Sequence, residues 1–324
     1  MEYFQTAWKD GSALNKGLTA DEFFYNQIYG AIKTNVENKT LPFFDSQSSS
    51  LPIELSTGKI INDENLIALE QVAAKQGFKS NVWLFGEVLD KMQNEGISIN
   101  LKRYSEPALC LTKYANPTHL NNELYVGDEG KKTKAQFLYN FDSLDDRSKE
   151  AVQKYFKKAL LVGEDYSNEN FKNYVENSKK SLSQKGQAFS NLREKILEIS
   201  AQSSELCKKV SKSKENINFN PLINAQARHV CQTITGSKIE NKKNPEMEQK
   251  CYEVLNGILS DTTEGKEWKV GQAITKALDG GTLYAKSYTS KDFNFEVRKN
   301  HEETNIKNEK LKAPKYKGYD GFGY

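Results

Sequence analysis

Residues 96–114, GISINLKRYSEPALCLTKY, decide the fold class, because the spacing of apolar residues changes within them. Ile97, Ile99 and Leu101 alternate with polar residues, the pattern of a half-buried strand rather than a helix. After a turn over 103–107, ALCLTKY at 108–114 reads as a second strand, and the aromatic run AQFLYNF at 135–141 as a third.

Upstream of that change the period is helical. TADE at 19–22 has capping-box spacing and is followed by Phe24, Ile28 and Ile32, which predicts a helix over 20–38, ending before Leu41-Pro42. DSQSSS at 45–50 reads as a polar loop. A second helix is predicted from Asn62 or Asp63, using Leu66, Leu69 and Ala73 and closed by Gly77; a third uses Phe85, Val88, Leu89 and Met92 and closes near Gly96.

Downstream of Asp145 the signal is helical almost throughout. Val152, Tyr155, Phe156 and Ala159 mark one helix, and Phe171, Tyr174 and Val175 a shorter one. Phe189, Leu192, Ile196, Ile199, Ser203, Leu206 and Val210 form a stripe stepping by three and four. That stripe suits either the inner face of an intramolecular bundle or a seam for a protein partner or self-association. Met247, Cys251, Val254, Leu255 and Ile258 give another helix, and 268–278 a last one before Gly280-Gly281. The expected architecture is therefore an α+β N-terminal domain, 1–145, followed by a mostly α-helical C-terminal region, 146–285, and a loosely structured basic, aromatic tail, 286–324. A chain of 324 residues is long enough for such a division, since single cores stop growing beyond about 250–300 residues.

Charge follows the same division. The net +3 comprises 14 Lys+Arg against 19 Asp+Glu over 1–145, and 32 against 24 over 146–324. Electrostatic attraction to nucleic acid therefore falls to the second half or to local patches. No apolar run approaches the roughly 18 residues a membrane helix needs, and the first residues lack a secretory pattern, so no membrane partner and a cytoplasmic location are expected. Four widely spaced cysteines form no C-x-x-C pair, and the three histidines include no H-E-x-x-H, so neither a metal site nor a cofactor is expected. His229 and Cys231 sit two residues apart, a spacing that sends them to different faces of a helix. No catalytic constellation emerges.

STGK at 56–59 raises the question of a nucleotide-binding loop. The pattern G-x-x-x-x-G-K-[ST] fails at Ile53 and Ile60, so a turn before the Leu66 helix fits better, with Lys59 either meeting a phosphate or decorating the turn.

Several of these segments, in this order, resemble the N-terminal domain of the ArdC-type antirestriction proteins of conjugative plasmids. They are Leu41-Pro42-Phe43-Phe44; Pro52 with Thr57-Gly58-Lys59; Asn65 before Leu66 and Leu69; Gly77-Phe78-Lys79-Ser80 with Trp83-Leu84-Phe85; 96–102; and Tyr139-Asn140-Phe141. Ile61, Glu64 and Gly86-Glu87 depart from the family pattern, and the resemblance covers about residues 20–145. The family's zinc metallopeptidase-like domain has no counterpart, because the chain has no H-E-x-x-H. The resemblance implies binding of single-stranded DNA, in the setting of a mobile or conjugative element.

Binding a single strand calls for rings that stack on bases and cations that track phosphates. The candidates are Lys59, Lys79, Trp83, Phe85, Lys102, Arg103 and Tyr104, with Lys315, Tyr316 and Lys317 in the tail. Each has a plainer reading. Trp83 fits equally as a core anchor, Lys102-Arg103-Tyr104 as a solvated turn, and the tail as a solubilising terminus. A non-enzymatic interaction protein, or a secreted effector, acting through its helical half is the alternative function.

Overall fold

Thr19 starts the first helix, α1 (Ala20–Asn38), through the reciprocal capping box the sequence predicts: its hydroxyl accepts from the Glu22 N–H, and the Glu22 carboxylate accepts from the Thr19 N–H at 2.9 Å. Lys39 ends it in the left-handed conformation, φ 57°. The computed structural model describes residues 4, 18–44, 51–56, 59–61, 63–114, 125–128, 131–156, 192–212, 216–235 and 245–287. Expectations for 45–50, for the helix around Phe171 and for the tail lie outside these residues.

α2 (Asp63–Gln76) and α3 (Gly86–Asn94) follow, closed by Gly77 and Gly96 at φ 68° and 86° as the sequence predicts, but Phe85, expected in the third helix, ends the strand before it. Between them lies a strand that periodicity does not reveal, β3 (Val82–Phe85). It pairs in parallel with β1 (Ile53–Glu54), which forms a hairpin with β2 (Lys59–Ile60). Lys59 of STGK thus opens a strand antiparallel to β1, Glu54 accepts from the Ser56 N–H and hydroxyl at 2.9 and 2.7 Å, and Thr57 and Gly58 lie outside the described residues. A phosphate-gripping loop instead leads from a strand into a helix.

The sheet's centre is β6 (Lys131–Asn140), antiparallel to β4 (Ala108–Tyr114) along one edge. Along its other edge β6 pairs with β3 at one end and β5 (Tyr125–Asp128) at the other. β6 begins four residues before the apolar run that announces it, because its first four residues, KKTK, carry no alternation. β4 ends the strand order, and side chains cap its free edge: Gln27 accepts from the Leu109 N–H at 2.9 Å, and Asn65 both accepts from and donates to the Leu111 backbone. Those bonds occupy groups that would otherwise recruit a foreign strand.

Residues 97–101 correct the sequence reading. Ile99 is buried and its neighbours are exposed, yet only one isolated bridge forms, Leu101 to Leu144. The Asn100 N–H donates to Ser148 Oγ and the Lys102 N–H to the Ser143 carbonyl, so loop and helix-cap partners replace a strand ladder.

Among the described residues that follow, the named elements are all helices: α4 (Asp146–Tyr155), α5 (Leu192–Lys208), α6 (Asn220–Thr235), α7 (Pro245–Asp261) and α8 (Glu267–Ser287). The protein is thus mostly helical with one small sheet, a mixed α+β fold. Of the predicted stripe, Ser203 and Val210 are buried and Ile196, Ile199 and Leu206 are half-buried against the core, and the neighbouring Ser200 and Ser204 accept from the Phe219 and Ile217 N–H groups at 3.2 and 2.9 Å.

α8 runs through Gly280-Gly281 where the sequence suggests a stop. A methyl at Gly280 would lie 3.0 Å from the Ile199 side chain of α5, and one at Gly281 would press against the Ile223 carbonyl of α6. These glycines are close-approach positions inside a helix, not its end. Gly271 does the same for α1, against Tyr25. One hydrophobic core consequently holds Phe24 and Ile28 together with Val270 and Ile274. Residues 1–287 form one compact unit, so position 145 marks a change of local periodicity rather than a gap in packing.

Candidate nucleic-acid interface

Residues 140–145 organise the surface that carries four of the ten candidate contacts, Lys79, Lys102, Arg103 and Tyr104. Asn140, fully buried at the end of β6, donates to the Ser80 carbonyl and accepts from the Asp142 N–H, both at 2.8 Å. Asp142 in turn accepts from the Lys79 and Ser80 N–H groups at 2.9 and 2.8 Å and from Lys149 at 3.2 Å. Desolvation works to raise the Asp142 pKa, but these donors outweigh it and hold the carboxyl below its usual value. One residue on, the Ser143 carbonyl accepts from the Lys102 N–H at 2.7 Å, and the Asp145 N–H donates to the Asn100 carbonyl at 3.1 Å. Two basic turns, 77–81 and 101–105, are thereby fastened to consecutive residues of one short helical turn, Phe141–Ser143.

Lys79, Lys102 and Arg103 are exposed. Tyr104 is the most exposed large hydrophobic residue among the described residues, at 79%, and the Arg103 guanidinium stands 4.7 Å from its ring centroid. Its backbone is left-handed, φ 67°, a conformation that costs a non-glycine residue about 1–2 kcal/mol. Lys149 is committed elsewhere, bonded to Asp142 and 5.4 Å from the Phe141 ring. Glu106, the nearest acid in sequence, pairs with Lys75 at 2.6 Å.

The other candidates separate from this group. Trp83 is 1% exposed, edge-on to Phe78 and packed among Ala31, Leu69, Val72 and Leu138, so the core reading holds and its ring is closed to a base. Phe85 is half-buried against the same cluster and precedes the first residue of α3. Lys59 pairs with Glu54 in the β1–β2 hairpin, and its side chain lies outside the described residues, as do Lys315, Tyr316 and Lys317.

Sequence reasoning missed the buried polar cluster around Glu70. Glu70 accepts from Gln226 at 2.9 Å and meets His229 Nε2 at 3.1 Å, and Gln226 also donates to Thr282 at 3.4 Å. His229 thus has a partner 159 positions away, while burial pushes the Cys231 thiol up to about 12. Only the buried placement of a glutamate among Leu66, Ile67 and Leu69 could have signalled it, and helical period alone leaves Glu70 on either face. Among the described residues no group of three or more His, Cys, Asp or Glu side chains is placed to hold a metal, and no helix is long and apolar enough to cross a membrane.

No protein-family model matches the chain, and neither the curated proteins nor the solved structures include a significant match.

Proposed function

We propose that this chain is a non-enzymatic single-stranded DNA-binding protein that accompanies or protects DNA in a mobile or conjugative element. The observation that carries the reading is Tyr104: a fully presented ring, backed by a guanidinium, flanked by Lys102 and tied to the same turn as Lys79. Rings supply sequence-tolerant stacking and cations supply the salt-dependent attraction to phosphate that single-strand binding requires. The mobile-element setting rests on the ArdC-type resemblance.

Anisotropy of a labelled single-stranded oligonucleotide across a salt series tests this. Wild type should bind and weaken as salt rises, and Lys102→Ala/Arg103→Ala should lower the slope of log K against log salt by about 0.7 for each phosphate no longer neutralised. Tyr104→Gly separates binding from folding: it relieves a strained backbone, so stability should hold or rise while affinity falls. No binding at low salt removes the reading.

A further inference from the structure

A second tie, besides the one through Asp142 and Ser143, joins the surroundings of the two basic turns. It is direct: Lys75, in the last turn of α2 and just ahead of turn 77–81, pairs at 2.6 Å with Glu106, just past turn 101–105. The Ser105 N–H donates to the Lys102 carbonyl at 3.2 Å, closing a β-turn over 102–105 in which Tyr104 is the third residue. Glu106 follows the closing residue of that turn and stands two positions from the exposed ring.

Lys75 therefore already carries an anion. The pair is open to water, its side chains 29% and 59% exposed, and pairs of this kind hold loosely, because solvent screens them and two long side chains must be immobilised. To an ammonium, a carboxylate and a phosphate present the same chemistry, a charged oxygen that only accepts. A helix's own carbonyls favour a cation in its last turn, so Lys75 does not need Glu106 to keep its place.

We propose that Glu106 is an internal stand-in for phosphate: a single strand stacked on Tyr104 exchanges one of its phosphates for the Glu106 carboxylate on Lys75, which makes Lys75 a further phosphate contact. A strand already held at Lys102 and Arg103 brings its next phosphate at high effective concentration, which is what lets it displace a carboxylate tethered in the same chain. The inference rests on the proposed DNA-binding reading and adds a competitor, carried by the protein itself, that limits the affinity of the Tyr104 surface.

The test is oligonucleotide anisotropy on the full chain across a salt series, with Glu106→Gln and Lys75→Gln. The control is Glu205→Gln, which makes the same charge change in an exposed pair on α5, where Glu205 meets Lys209 at 2.8 Å. Circular dichroism and a thermal midpoint confirm that each variant is folded. Freed of its competitor, Glu106→Gln should bind about two- to fivefold more tightly than Glu205→Gln at low salt. Lys75→Gln should bind more weakly than wild type, with the slope of log K against log salt lowered by about 0.7 for one phosphate. A pair that only braced the turns would give the opposite sign, with Glu106→Gln weakening binding. Glu106→Gln no tighter than Glu205→Gln, or an unchanged slope in Lys75→Gln, overturns the exchange, and a weakened Lys102→Ala/Arg103→Ala then leaves the Tyr104 reading standing; no binding by wild type at low salt overturns both.

Discussion

Replacing Gly271 by alanine tests whether the α+β and helical stretches share one core. An added methyl would sit 2.9 Å from the Tyr25 carbonyl carbon, closer still to its oxygen, and 3.2 Å from Tyr29 Cβ. Carbon atoms prefer about 3.5–4.0 Å, so α1 and α8 would have to separate by roughly 0.5–1 Å, and backbone offers no rotamer by which to yield. Overpacking of this kind costs about 1–3 kcal/mol, against a gain of about 0.5–1 kcal/mol from replacing a helical glycine. Gly257 in α7 is the matched control: nothing lies within 4 Å of a methyl there, so only the gain remains. Urea denaturation followed by circular dichroism should place the Gly271→Ala midpoint below wild type and the Gly257→Ala midpoint above it, with a combined difference of about 2 kcal/mol. A Gly271→Ala protein as stable as Gly257→Ala would refute the α1–α8 contact and restore two independently packed halves.

Three further outcomes concern groups held inside the fold. Glu70→Ala orphans the Gln226 and His229 donors at the junction of α2, α6 and α8, and should cost about 2–5 kcal/mol in chemical denaturation, whereas His229→Gln should cost less because the carboxylate keeps Gln226. Asp142 has a folded pKa below its unfolded value, so its contribution is present above about pH 4 and is lost as pH falls through the folded value. Asp142→Asn should therefore be less stable than wild type at pH 7, and the gap in denaturation midpoints should close toward pH 3. Burial pushes the Cys207 and Cys251 thiols up to about 12, and Cys110 higher. A thiol reagent at pH 8 should leave the native protein unlabelled and titrate four cysteines after denaturation.

Local signals make the helices legible. The Thr19 capping box, Gly77, Gly96 and the apolar spacing of α1, α2 and α7 each act within a few residues, so these helices can be located from sequence alone. Features that depend on distant partners stay hidden. β3 reads VWLF, four apolar residues with no alternation, because both faces are covered. Residues 97–101 show the opposite failure, with strand-like alternation but no neighbouring strand to complete a ladder. α6 escapes a reading by period despite Leu222, Ile223 and Val230, since Gln226 and His229 interrupt its apolar face for the sake of Glu70. Gly280-Gly281 reads as a terminus because glycine's two uses, ending a helix and admitting a neighbour, look alike until the neighbour is seen.

The same distinction sorts the candidate contacts. Trp83 and Tyr104 are equal in sequence as aromatic residues beside basic ones, but their backbones differ. Trp83 lies in a strand paired on both sides, where alternate residues must enter the core. Tyr104 lies in a turn whose backbone is held by Ser143 at one end, and its own backbone is left-handed. A ring that served only stability would be expected to bury its surface, and glycine would suit that backbone better. Retaining tyrosine in a strained, solvent-facing position makes sense when the ring meets something outside the chain. In the proposed reading Arg103 serves both groups of a nucleotide, its guanidinium 4.7 Å from the ring centroid and its N–H donors of the kind that bind phosphate.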